Sequence, residues 1–204
     1  MNLKPVLLSG RFVRLVPLTL DHVPALARVG LDPAPWRWIP VAISTAGEMR
    51  AYVSTALDEQ QRGLALPFVV VDAASDEVIG STRFANIDMK NQRLEIGWTW
   101  LAGAHQRSAV NTNAKRLLLG HAFDVLGAIR VELKTDALNE KSRAAIGRIG
   151  AVQEGIFRKH LITASGRVRD TLYFSILDTE WPAIRRTLDA RLARAVPSVV
   201  TPTA

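Results

Sequence analysis

Leu94-Glu95-Ile96-Gly97-Trp98-Thr99-Trp100-Leu101, followed after a three-residue gap by His105-Gln106-Arg107-Ser108-Ala109-Val110-Asn111-Thr112-Asn113-Ala114-Lys115-Arg116-Leu117-Leu118-Leu119, is the stretch that decides the fold. Its first part is rich in β-branched and aromatic residues and reads as a strand. In its second part and just beyond, Ala114, Leu117, Leu118, His121, Ala122 and Val125 recur at helical spacing on one face. A strand therefore passes through a polar turn into an amphipathic helix whose apolar face must lie on the sheet.

Working outward, Leu66 to Asp72 and Glu77 to Ala85 read as two strands before this one, separated by turn-like Ala73 to Asp76 and Asn86 to Gln92, so the three form an antiparallel meander. Upstream, Arg11 to Val16 alternates as a half-buried strand, Thr19 caps a helix from Asp21 to Val29, and Thr45 to Gln61 is a second helix closed by Gly63. Between the helices, Leu31 to Pro40 carries three prolines and must be a loop. Downstream come a strand at Ile129 to Thr135, a short helix from Asn139 to Ile149 and a hairpin, Val152 to Leu161 with Val168 to Leu177, turned at Ala164 to Arg167. A basic helix runs from Trp181-Pro182 to about Arg194. The pattern is α+β, with one domain over residues 1–194 and a disordered tail at 195–204.

The 204 residues are 48% hydrophobic and 22% charged, enough to bury a sizeable core. Without cysteine the chain has no thiolate nucleophile, zinc-thiolate site or disulfide framework. His22, His105, His121 and His160 show no metal-ligand spacing, so no metal site is expected. No signal peptide and no apolar run of about 18 residues is present, so the chain is expected to be cytoplasmic and without a membrane partner. A formal charge of +7 favours anionic partners without choosing among them.

The order strand, two helices, meander, long helix, strand, short helix, hairpin resembles the GNAT acetyltransferase fold. The quoted stretch, together with Asn139-Glu140-Lys141-Ser142-Arg143-Ala144-Ala145-Ile146-Gly147-Arg148-Ile149-Gly150-Ala151, resembles the ribosomal-protein N-terminal acetyltransferase branch of that superfamily. The resemblance implies a mixed, mostly antiparallel central sheet flanked by helices and splayed where acetyl-CoA binds. It also implies a turn that presents backbone N–H groups to the pyrophosphate, a use of the open donors and positive dipole end of a helix. Here that turn is Gln106, Arg107, Ser108, Ala109, Val110, Asn111 and Thr112, with Ala109 and Asn111 where the superfamily has glycine or alanine. Arg107, Lys115 and Arg116 lie at or just inside the same helix, where a bound pyrophosphate would explain them. Asn113 stands where relatives often carry Glu.

Acetyl transfer needs a neutral amine, a polarised carbonyl and a proton for the departing thiolate. By resemblance, Glu95 is the candidate general base through water. Its other reading is a cross-strand ion pair, for example with Arg93 or Arg83. The backbone from Trp98 to Leu101 is expected to bulge and to stabilise the oxyanion, with Trp100 and Leu101 against the cofactor. Asn139 is assigned to the pantetheine arm, or simply caps the short helix, and Ser142 is the candidate general acid. Tyr52 and Tyr173 lie off the short helix and are set aside as acids. Trp36 and Trp38 either line a substrate loop or plug the edge of the core. The acceptor implied is a peptide or protein N-terminus or a small amine. Homodimers are common among look-alikes, and nucleic acid enters only beside a ribosomal substrate. The competing readings are an acetyltransferase that detoxifies a small molecule or antimicrobial, a non-catalytic acyl-CoA-binding protein and, last, an RNA-binding module.

Overall fold

Residues 1–195 are described by a computed structural model, in which the alternating segments form eight strands of one sheet. The strands are β1 (Leu8–Ser9), β2 (Val13–Pro17), β3 (Leu66–Asp72), β4 (Val78–Asp88), β5 (Arg93–Leu101), β6 (Arg130–Asp136), β7 (Val152–Ile162) and β8 (Val168–Leu177). Their spatial order is β1-β2-β3-β4-β5-β6-β8-β7, and only the β5–β6 junction is parallel. β3 is buried along its whole length, which is why its sequence is an unbroken apolar run rather than an alternation. The expected tail falls, from residue 196 onward, outside the described residues.

The helices are α1 (Val23–Gly30), α2 (Ala46–Gln61), α3 (Ala109–Gly120), α4 (Glu140–Arg148) and α5 (Trp181–Arg194). Thr45 caps α2 by accepting from the Glu48 N–H at 3.1 Å, while the Glu48 carboxylate accepts from the Thr45 N–H at 2.9 Å. α1 and α2 pack on one face of the sheet over Val69, Val71 and Trp100, and α3 and α5 cover the other over Phe68, Val70, Leu94 and Ile96. The expected apolar stripe of the long helix fails at Val125, which is 69% exposed. After Gly120 the helix widens into a π-turn over His121–Val125, closed by the Leu126 N–H on the His121 carbonyl at 2.9 Å. The extra residue shifts the phase, so Leu126 takes the inward place.

The feature that positions the site is the parting of β5 from β6. Three residue pairs join them, Arg93 with Arg130, Leu94 with Val131 and Glu95 with Glu132, and beyond Glu95 the strands run on unpaired with each other. β5 stays with β4 as far as Leu101, and β6 stays with β8 as far as Asp136. The result is a wedge-shaped slot through the sheet, closed at Glu95. β5 bulges beside it: Ser81 opposes Trp100 and Arg83 opposes Gly97, leaving Trp98 and Thr99 against Thr82 alone, with Trp98 at φ 55°.

Candidate active site

Because β5 and β6 are parallel, their carboxyl ends open on the same edge, where α/β sheets commonly bind ligands. β5 leads through the turn to α3, and β6 leads to α4, so two helix N-termini flank the mouth of the slot. In the first turn, Gln106 donates from its side-chain amide to the Leu101 carbonyl at 3.1 Å, tying the turn to the strand end. Ser108 caps α3: its hydroxyl accepts from the Val110 N–H at 3.3 Å and donates to the His105 carbonyl at 2.7 Å. Arg107 alone in this turn takes a left-handed backbone, at φ 60°. Ala109 and Asn111 are the first and third residues of α3, in right-handed helical backbone that any side chain adopts. Side chains in place of glycine therefore leave the turn unstrained.

The N–H groups of Ala109 and Asn111 precede the first intrahelical bond and are the donors this terminus offers, that of Val110 being taken by Ser108, with Thr112 following them. Of the three cations expected here, only the exposed Arg107 remains at the turn. Arg116 pairs with Asp189 of α5 at 2.7 Å, and Lys115 turns inward to the Thr99 hydroxyl at 2.7 Å. Asn113 also turns inward, its side-chain oxygen accepting from the Phe12 N–H at 2.9 Å and the Val13 N–H at 3.3 Å. Its role is to hold β2 to α3, away from any phosphate. Open donors, a cation with no ion pair among the described residues and a slot leading inward fit a diphosphate carrier with a thin arm.

On the other flank, Asn139 caps α4 by accepting from the Ser142 N–H at 3.1 Å. The cap leaves the Asn139 amide nitrogen and the Ser142 hydroxyl without hydrogen-bond partners among the described residues, and both residues are half-buried.

At the closed end of the slot, Glu95 is 8% exposed and forms a cross-strand ion pair, though with neither arginine named from the sequence. Its partner is Lys134 of β6 at 2.7 Å, and the Asn86 side chain donates to the same carboxylate at 2.6 Å. Arg83 is committed to Glu59 at 2.7 Å, and Arg93 to Glu132 and Asp88. Asn86 and Lys134 also line an open groove of about 540 Å³ on this face, with Arg130, Glu132, Glu154, Phe157 and Tyr173. The Tyr173 ring lies 4.8 Å from the Lys134 ammonium and stacks on Phe157 at 4.1 Å. Sequence reasoning missed this tyrosine because it searched only the short helix. The signal was the strand register, which sets Tyr173 opposite Lys134.

The two loop tryptophans separate. Trp36 is buried between Trp100 and Tyr52, with ring centroids 5.1 and 5.5 Å away, and its indole donates to the Gly30 carbonyl at 2.6 Å. It is a core anchor and lines no cleft. Trp38 is half-buried beside the hairpin, where Arg169 donates to its carbonyl at 3.1 Å and the Arg167 guanidinium lies 5.8 Å from its ring. Trp100 likewise belongs to the core through its side chain, and its backbone pairs with Ser81 of β4. Among the described residues no group of His, Asp or Glu is arranged to hold a metal ion, and no helix is long and apolar enough to cross a membrane.

The sheet is thus parted at its one parallel junction, with a capped helix N-terminus at the mouth and a carboxylate at the closed end. The model of the acetyltransferase (GNAT) domain matches residues 13–152, and the chain belongs to that family. It is 37% identical over 102 residues to YdaF of Bacillus subtilis (strain 168), provisionally named a ribosomal N-acetyltransferase; the match spans 50% of this chain and only 55% of that relative. It is 27% identical over 165 residues to the uncharacterized N-acetyltransferase p20 of Bacillus licheniformis, covering 80% of this chain and 92% of p20. Among solved structures, a GCN5-related N-acetyltransferase from Brucella melitensis superposes with a TM-score of 0.84 at 34% identity, over 94% of this chain and 87% of that one. The fold is shared as well by Mycobacterium smegmatis RimJ in complex with CoA-disulfide, at 24% identity and a TM-score of 0.83, over 96% of this chain and 99% of that one.

Proposed function

We propose that this chain transfers acetyl from acetyl-CoA to a primary amine, and that the acceptor is the α-amine of a peptide or protein N-terminus, attacking directly in a ternary complex. The observation that carries the reading is the slot: it runs from the α3 N-terminus to Glu95, whose partners Asn86 and Lys134 line a groove with room for a chain terminus. Acetyl-CoA, when bound, supplies the activated acyl group. Arg107 and the N–H groups of Ala109 and Asn111 would hold its diphosphate, and Asn139 its arm. An α-amine, with a pKa of about 7.7–8.0, is partly neutral at physiological pH, whereas a lysine at about 10.4 is not. Glu95, held by Lys134 and Asn86, orders the water that takes the amine proton. The backbone of the bulged segment Trp98 to Leu101 offers N–H groups to the developing oxyanion, and Ser142 supplies a hydroxyl from the opposite flank. The name of YdaF supports a ribosomal N-terminus as the acceptor.

The test is isothermal titration with acetyl-CoA and then CoA, followed by transfer to peptides with free or blocked α-amines. Micromolar binding and acetylation confined to free α-amines is the expected result, with Ser142→Ala slowed in turnover. No binding at millimolar ligand sinks the reading, and transfer only to lysine side chains or small amines moves the acceptor to another class.

A further inference from the structure

Lys115 is unexplained by anything above. It lies in the second turn of α3, yet its side chain runs down to the sheet, leaving the residue 6% exposed, and its ammonium donates to the Thr99 hydroxyl at 2.7 Å. It makes no ion pair among the described residues. The charged group acting on it is Glu95, itself bound to Lys134 of β6. From β4 it is approached through Thr82, whose hydroxyl lies 2.8 Å from that of Thr99, and its neighbour Arg116 is turned to Asp189 of α5. Burial pushes the amine down to about 7. A methionine would fill the same space without a buried charge, so packing alone does not account for a lysine.

Its place does. Thr99 lies on the half of β5 that has left β6, so its backbone borders the slot, while its hydroxyl, shared with Thr82 of β4, receives the Lys115 ammonium. Glu95 lies four residues before Thr99 on the same strand, and its charge opposes the effect of burial on the Lys115 amine.

We propose that Lys115, acting through the Thr99 hydroxyl, is the positioning residue that provides positive charge and a proton to the departing thiolate of CoA. This rests on the reading that CoA occupies the slot. As the amine nitrogen bonds to the acetyl carbon, the carbon–sulfur bond breaks and its electron pair leaves on sulfur. Sulfur takes the Thr99 hydroxyl proton, Thr99 is refilled from the Lys115 ammonium, and the neutral lysine is recharged from solvent. The proton lost by the acceptor amine balances the one that recharges the lysine, so a neutral amine and acetyl-CoA give amide and CoA thiol with no net release.

The experiment needs no acceptor. The ultraviolet absorbance of the CoA thiolate is followed against pH for CoA free, bound to the wild type, bound to Lys115→Met and bound to Thr99→Val. A thiol near 8.5 in solution should ionise at least one pH unit lower on the wild type, about a tenfold shift, and return toward the free value on both variants. Should Lys115→Met fail to hold CoA, the comparison with Thr99→Val decides alone. Bound CoA that titrates alike on the wild type and the variants overturns this proposal and leaves the transferase reading standing. A wild type that does not bind CoA overturns both.

Discussion

Lys115→Met should make the protein more stable at neutral pH, and the gain should fade as pH rises. The lysine falls from 10.5 to about 7 on folding. At ~1.36 kcal/mol per pH unit this corresponds to about 5 kcal/mol against the charged form. The folded chain binds fewer protons than the unfolded chain between pH 7 and 10.5, so this lysine makes stability rise with pH through that window and fall as pH drops toward 7. Methionine removes the penalty and forfeits a hydrogen bond to Thr99 worth about 1–2 kcal/mol, for a net gain of about 3 kcal/mol at pH 7. For a chain of this size that raises Tm by roughly 6–12 °C. Urea unfolding of both proteins at pH 7, 8 and 9, followed by circular dichroism, measures the difference, in which every other titrating group cancels. The gap should shrink by about 1 kcal/mol per pH unit. A gap that stays constant from pH 7 to 9, or a variant less stable at pH 7, refutes the reasoning.

Three further outcomes follow from the structure. His121 is buried at the π-turn against Phe84 and its pKa is lowered by burial, so folding stability should decline as pH falls below about 6.5, and His121→Phe should flatten that acid limb in thermal melts. Asn113→Ala strands the buried N–H groups of Phe12 and Val13, and denaturant unfolding should show a loss of about 1–3 kcal/mol. Gly97→Ala would bring a methyl to 2.7 Å from a Glu95 carboxylate oxygen and push that carboxylate off Lys134 and Asn86, so Tm should fall and turnover, once an acceptor is found, should drop at least tenfold.

The sequence was most legible where one physical rule acted alone. β3, the Thr45 cap of α2, the Asn139 cap of α4 and the Ala164 to Arg167 turn were each readable from composition and spacing. It was least legible where two segments distant in the chain decide an outcome. Glu95 could be placed on its strand, but its partner Lys134 comes from a strand that begins 35 residues later and meets β5 for only three pairs. The same holds for Trp36, whose burial depends on Trp100 and Tyr52, and for Lys115 and Asn113, which read as surface residues near a phosphate because helical periodicity cannot say how far a long or polar side chain turns under. Val125 failed for a different reason, since a π-turn leaves no mark in spacing until the phase has already slipped.

The parting of β5 and β6 also bears on how the molecule holds together. Across that seam the backbone ladder is three rungs long, so five strands on one side and three on the other are otherwise coupled by the Glu95–Lys134 and Arg93–Glu132 ion pairs and by the helices laid over them. A guest that lies along the open edge of β5 takes the place of an absent neighbour strand, and the two wings then unfold as one. Amide exchange along Ile96 to Leu101 is where that suturing would be read first, slowing on CoA addition while the outer strands remain as they were.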